Sequence, residues 1–151
     1  MTDTANLHRR KLLAAGIAVA IAGPVFATPA EMAAAIGAFT GGAAPTAGRV
    51  KLDVAALVDN GNAVPITVAV DSPMTAADHV TAIAVFNERN PQTDVVKFTL
   101  GPRSGKAQVS TRIRMATSQK LIAVARMSDG SFWSGSADVI VTLAACIEGE
   151  G

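Results

Sequence analysis

One cysteine, two histidines, one tryptophan and no tyrosine in 151 residues limit the available chemistry from the start. A single thiol excludes a disulfide scaffold, a CxxC redox pair and a cysteine-built zinc site. His8 and His79 alone are too few for a histidine-based catalytic metal centre. With Trp133 single and tyrosine absent, a sugar-binding aromatic platform lacks its rings. A charge excess is missing too: 13 Lys and Arg stand against 12 Asp and Glu. A nucleic-acid binder shows a strong basic excess instead. No HExxH, nucleophile elbow or phosphate-binding glycine loop occurs. His79 beside Asp78 reads as a turn or surface residue, and the scattered Met32, Met74, Met115 and Met127 read as packing.

Half of the residues are hydrophobic, which is enough for one domain with a real core and argues against long disorder. The N-terminus has a different logic. Polar residues and His8-Arg9-Arg10-Lys11 precede an apolar run from Leu12 to Ala22, and Val25-Phe26-Ala27 offers small residues to a peptidase. That order is a secretory signal. The run is about 11 residues, short of the roughly 20 that span a bilayer, so no membrane span is expected in the mature form. Arg9-Arg10 before Leu12-Leu13 matches the twin-arginine export signal. His8 and Leu12 stand where Ser or Thr and Phe are usual, and an ordinary signal with two chance arginines is the alternative. Residues 1–27 are therefore read as a twin-arginine-type signal peptide and the mature protein as periplasmic.

Residues 28–48 read as a short N-terminal helix and an Ala/Gly linker. Met32, Ile36 and Phe39 share one helical face, and Gly41-Gly42-Ala43-Ala44-Pro45 breaks it. Residues 49–143 carry short apolar runs separated by turn signals. The runs are Val64–Val70, Val80–Phe86, Val95–Leu100, Val109–Met115, Leu121–Met127 and Val139–Leu143. Asn60-Gly61, Asn90-Pro91, Gly101-Pro102 and Asp129-Gly130 mark turns. This spacing predicts an all-β fold, an immunoglobulin-like antiparallel β-sandwich preceded by a short helix. In 109–115 the alternation sends Val109, Thr111, Ile113 and Met115 inward and leaves Arg112 and Arg114 together outside. They form either a solvated strand face or a partner or anion-steering face.

Residues 144–151 hold Cys146, a lone thiol in a chain addressed to an oxidising compartment. Three residues beyond Leu143, at about 3.3–3.6 Å each, carry it about 10 Å from the last predicted strand. No residue near it in sequence activates the thiol, and Glu148 and Glu150 disfavour the thiolate. The residues alone leave several uses open: a substrate attachment point, an idle or crosslinking cysteine on an interaction domain, or a nucleophile of the chain's own.

Together these features resemble SoxY, the sulfur-carrier subunit of the thiosulfate-oxidising Sox system. The resemblance runs over about residues 49–146. It is carried by Asn60 to Pro65, Asp71-Ser72-Pro73-Met74, Asn90-Pro91, Phe98, Val109 to Ala116, Ser118-Gln119, Asp129-Gly130 and Cys146. It implies an immunoglobulin-like sandwich paired with a SoxZ-like subunit. It also implies sulfur intermediates held covalently on Cys146, with no other cofactor and no catalysis by the carrier itself. The implied partners are the haem-containing SoxAX, the SoxB hydrolase and the SoxCD sulfane dehydrogenase. One departure stands out. The family tail is Gly-Gly-Cys-Gly-Gly, whereas here Ala144, Ala145, Ile147, Glu148 and Gly149 surround the cysteine as the carrier arm. Alanine restricts the backbone, Ile147 adds bulk, and Glu148 repels an anionic substrate over a screened range of about 8 Å.

Overall fold

The computed structural model describes residues 26–144. Residues 1–25 of the segment read as a signal peptide, and Cys146 with most of its arm, lie outside the described residues; Phe26 and Ala27 lie inside them, with Ala27 buried and its N donating to Asn90 O at 3.0 Å. Helix α1 spans Pro29–Thr40. Thr28 and Glu31 form a reciprocal cap: Glu31 N donates to Thr28 Oγ1 at 3.2 Å, and Thr28 N donates to Glu31 Oε2 at 2.8 Å. Pro29 suits the first turn, where an N–H has no partner anyway. Gly41, at φ 67°, ends the helix in the left-handed conformation that glycine adopts without strain.

Nine strands follow among the described residues: β1 (Thr46–Ala47), β2 (Val50–Asp53), β3 (Leu57–Val58), β4 (Val64–Val70), β5 (Val80–Asn87), β6 (Asp94–Thr99), β7 (Gln108–Ile113), β8 (Gln119–Met127) and β9 (Phe132–Val141). One sheet has the order β1-β9-β8-β5-β6, with β3 also on β9; the other is β2-β4-β7. The two sheets make the expected sandwich. Val64, Ile66, Val68 and Val70 of β4 face Ile83, Val85, Leu121 and Ala123 of the larger sheet in one core. The period-two alternation of β4 is thus the record of one buried face and one wet face.

β5 does not alternate, and the reason is physical. Seven of its eight residues are buried, because both faces are covered. Val80, Ile83 and Val85 enter the core between the sheets, while Ala84 and Phe86 meet Met32, Ile36 and Phe39 of α1. Phe39 sets its ring edge-on to Phe86 at 5.9 Å and to Phe132 at 6.0 Å. The helical face read from Met32, Ile36 and Phe39 therefore packs on the outside of the larger sheet.

The longer strands pair antiparallel as expected, while the two-residue strands β1 and β3 run parallel to β9. The chain leaves β9's edge after β1, crosses to the smaller sheet as β2, and returns to the same edge as β3. Gly135 on β9 permits this crossing, since a Cβ there would collide with the carbonyl oxygen of Val50. That side of the sandwich is closed. The opposite side ends in the edge strands β6 and β7.

Candidate functional site

The root of the C-terminal arm is built from backbone. β9 ends at Val141, but its edge contacts continue. Thr142 N donates to Val58 O at 3.0 Å and Leu143 N to Asp59 O at 3.2 Å. Thr142 Oγ1 adds a bond to Asp59 O at 3.1 Å. Leu143 O then accepts from Gly61 N at 2.8 Å. Ser118 Oγ accepts from Val141 N at 2.9 Å on the other side. The arm is thus held through Leu143, and exposed Ala144 is the last described residue.

The same pole gathers the connections between the sheets. Gly61 O accepts from Met115 N at 2.8 Å, so one residue ties the end of β7 to the arm root. Loop 114–118 is held in turn by Asn90. Its Nδ2 donates to Arg114 O at 2.8 Å, and its Oδ1 accepts from Ala116 N at 3.0 Å and from Gln119 Nε2 at 2.8 Å. Gln119 Oε1 accepts from Arg89 N at 3.0 Å, and buried Asn87 fixes the turn through Asn90 N and Gln92 O. No described buried side-chain N or O is left unpaired. A fully paired polar cluster of this kind rigidifies what it holds. The sequence marked Asn90-Pro91 and Ser118-Gln119 as turn and resemblance residues; it did not show that they form one scaffold beneath the arm.

Of the residues singled out earlier, Arg112 and Arg114 are exposed on the outer face of β7 and its extension, beside one another as the alternation requires. Arg112 lies opposite Pro65 of β4. Ala144 stands at the arm root. Cys146, Ala145, Ile147, Glu148 and Gly149 lie outside the described residues. His79 sits at the other pole, a β8 length of about 30 Å away. Its Nδ1 lies 3.0 Å from Thr75 O and its N donates to Ser128 Oγ, in the turn role expected of it. Met32, Met74, Met115 and Met127 are all buried in the cores. At that far pole Asp129 accepts from Ser131 Oγ at 2.6 Å and Ser131 N at 2.8 Å. These bonds hold its carboxyl below the ordinary aspartate value of 3.8.

Among the described residues, no three His, Cys, Asp or Glu side chains gather as metal ligands, and no helix is long and apolar enough to cross a membrane. What the pole offers chemically is mechanical: a rigid platform beneath Leu143 and Ala144.

The family described as sulfur oxidation protein SoxY matches residues 36–146. No curated protein matches the chain. Among solved structures, the sulfur carrier protein SoxY from Chlorobium limicola f thiosulfatophilum is similar, with 29% identity and a TM-score of 0.62, covering 76% of this chain and 98% of that one. A superoxide reductase (neelaredoxin) from Ignicoccus hospitalis shares the fold at 15% identity and a TM-score of 0.57, covering 62% of this chain and 80% of that one. A putative superoxide reductase from Thermotoga maritima does so at 20% identity and 0.54, covering 68% and 89%. The last two likenesses bear on the fold alone.

Proposed function

The chain belongs to the SoxY family of sulfur oxidation proteins, and from that premise we propose that it is a periplasmic carrier that holds sulfur intermediates covalently on Cys146. It is exported by the twin-arginine pathway as the Y subunit of a heterodimer with a SoxZ-like chain. The carrier is a substrate for its partners and not itself an enzyme. The observation that supports this reading most is a sole thiol placed three residues beyond a backbone-held root.

Joining thiosulfate to Cys146 forms one S–S bond, releases the thiol proton and removes two electrons. A haem partner of SoxAX type accepts these electrons. A SoxB-type hydrolase then adds water across the terminal S–S bond, releasing sulfate and leaving a persulfide. A SoxCD-type dehydrogenase can oxidise the sulfur that remains. Arg112 and Arg114 supply a cationic face near the arm root, for a partner or an incoming anion.

Intact-mass analysis of the native protein from cells grown on thiosulfate should show sulfur adducts, and Cys146→Ser should abolish both the adducts and thiosulfate-dependent growth. Absence of adducts together with normal growth of the variant would remove the carrier role. A second reading comes from the tail. Ala144, Ala145, Ile147 and Glu148 in place of glycine favour a SoxY-like protein that serves another sulfur substrate, or only partner binding or crosslinking. A disulfide dimer as the sole active form on non-reducing electrophoresis would support the crosslinking role.

A further inference from the structure

β7 is an edge strand with an unusual combination of features. It pairs with β4 in unbroken register over six positions, Val64↔Ile113 through Ala69↔Gln108. The bond from Val70 N to Ala107 O, at 2.8 Å, sets the phase of the ladder. In an antiparallel pair alternate residues bond to the partner, so Ala107, Val109, Thr111 and Ile113 face β4. The N–H and C=O groups of Gln108, Ser110 and Arg112 therefore point away from it. Arg114, next in that phase, points its carbonyl away and has it taken by Asn90 Nδ2. No backbone partner outside the ladder meets Gln108, Ser110 or Arg112 among the described residues.

The other edges differ. β1 and β3 have two residues each and β2 has four. The β5–β6 pairing is broken by a bulge between Val85 and Phe86, a feature that twists an edge away from pairing. Among the described residues, β7 is the edge strand whose six positions stay in unbroken register, a template about 17 Å long.

Its charge selects the occupant. Every charged residue from Val95 to Ser128 is Lys or Arg. Lys97 and Lys120 are paired with Asp94 and Asp138. Lys106, Arg112 and Arg114 have no carboxylate at salt-bridge distance among the described residues. All three are exposed, in one period-two row with Gln108 and Ser110. A second copy of this chain would bring a like row alongside, which is unfavourable. We infer that the free edge of β7 receives a strand of a different protein bearing carboxylates on its outward face, extending the three-stranded sheet across the heterodimer. Main-chain bonds to Gln108, Ser110 and Arg112 supply affinity, and the cationic row sets partner choice. The inference rests on the heterodimer reading and names its interface.

Residue-resolved amide exchange on the full mature chain, alone and saturated with its co-purified SoxZ-like subunit, tests it. The amides of Gln108, Ser110 and Arg112 should exchange fast in the free chain and slow by about a hundredfold or more in the complex. Those of Val109 and Thr111 should be protected in both. Ser110→Pro removes an N–H that β4 does not use, and Arg112→Glu reverses the row. Each should weaken the complex about tenfold or more; the Arg112→Glu chain alone keeps its thermal transition, while Ser110→Pro also gives up the Ser110 Oγ contact with Thr67 Oγ1 at 2.8 Å and lowers it slightly. A complex that forms with Gln108, Ser110 and Arg112 still unprotected overturns this interface and leaves the carrier reading standing. Failure of any complex to form overturns the heterodimer and this edge together, and adduct formation on Cys146 then decides the carrier role separately. Protection that rises with the concentration of the chain alone would assign the edge to a second copy and overturn the acidic partner.

Discussion

At the scale of single residues, Asn90 and Gly135 do more than composition suggests. Asn90 spends its side-chain amide on three partners in loop 114–119, so a turn signal in the sequence acts as a bracket between the sheets. Gly135 works by absence. A methyl group there would enter the space of the Val50 carbonyl, and the obstacle is backbone, which cannot swing aside. Gly135→Ala should therefore destabilise the fold by about 2–3 kcal/mol, in the range of overpacked cores. Urea unfolding measures it, with a lower midpoint and an unchanged slope expected. A loss within ~0.5 kcal/mol would mean that β2 does not approach β9 this closely.

At the scale of elements, legibility in the sequence followed burial. β4 and β7, each wet on one face, alternate and were readable almost to the residue. β5 was readable as a continuous apolar run, and the helix that makes it continuous was readable from Met32, Ile36 and Phe39. Their docking on one another was not, because a helical face carries no sign of which surface it covers. β1, β2 and β3 were missed for want of length, since two to four residues give no period to detect. β9 was read as beginning at Val139, although it starts at Phe132. Ser134-Gly135-Ser136 resembles a loop because close approach to β2 demands small side chains there. Cys146 was visible as a lone thiol, while the root before it rests on backbone bonds of Val58, Asp59 and Gly61 that leave almost no trace in side-chain pattern. The docked helix gives a test at this scale. Phe39→Ala, at a half-buried site between two rings, should cost about 2–3 kcal/mol, somewhat less than a fully buried phenylalanine. Thr28→Ala should cost about 1 kcal/mol through the lost cap. Equal losses in denaturant titrations would show that α1 is held by its cap and not by the sheet.

At the scale of the whole molecule, the sandwich has two unlike poles and two unlike sides. One side is closed by β1, β2, β3 and β9, and the other ends in the edge of β7. One pole holds the turn residues His79 and Asp129; the other holds the arm root. Because Leu143 is bonded at both its N–H and its C=O, residues before Ala144 add nothing to the reach of Cys146. That reach is then set by the Leu143-to-Cys146 spacing alone, about 10 Å at full extension. In the carrier reading, deleting Ala144 and Ala145 shortens it to about 3.5 Å. Loading of thiosulfate by a SoxAX-type haem enzyme should fall about tenfold or more, while alkylation of Cys146 by iodoacetamide, which needs no entry into a partner's cleft, should continue. Replacing Ala144, Ala145, Ile147 and Glu148 by glycine keeps the length and removes bulk, restriction and charge, so loading should rise above that of the parent. Should the shortened arm load as fast as the parent, the root must open during transfer, and hydrogen exchange at the amides of Thr142 and Leu143 would then be fast where the bonded root requires it to be slow.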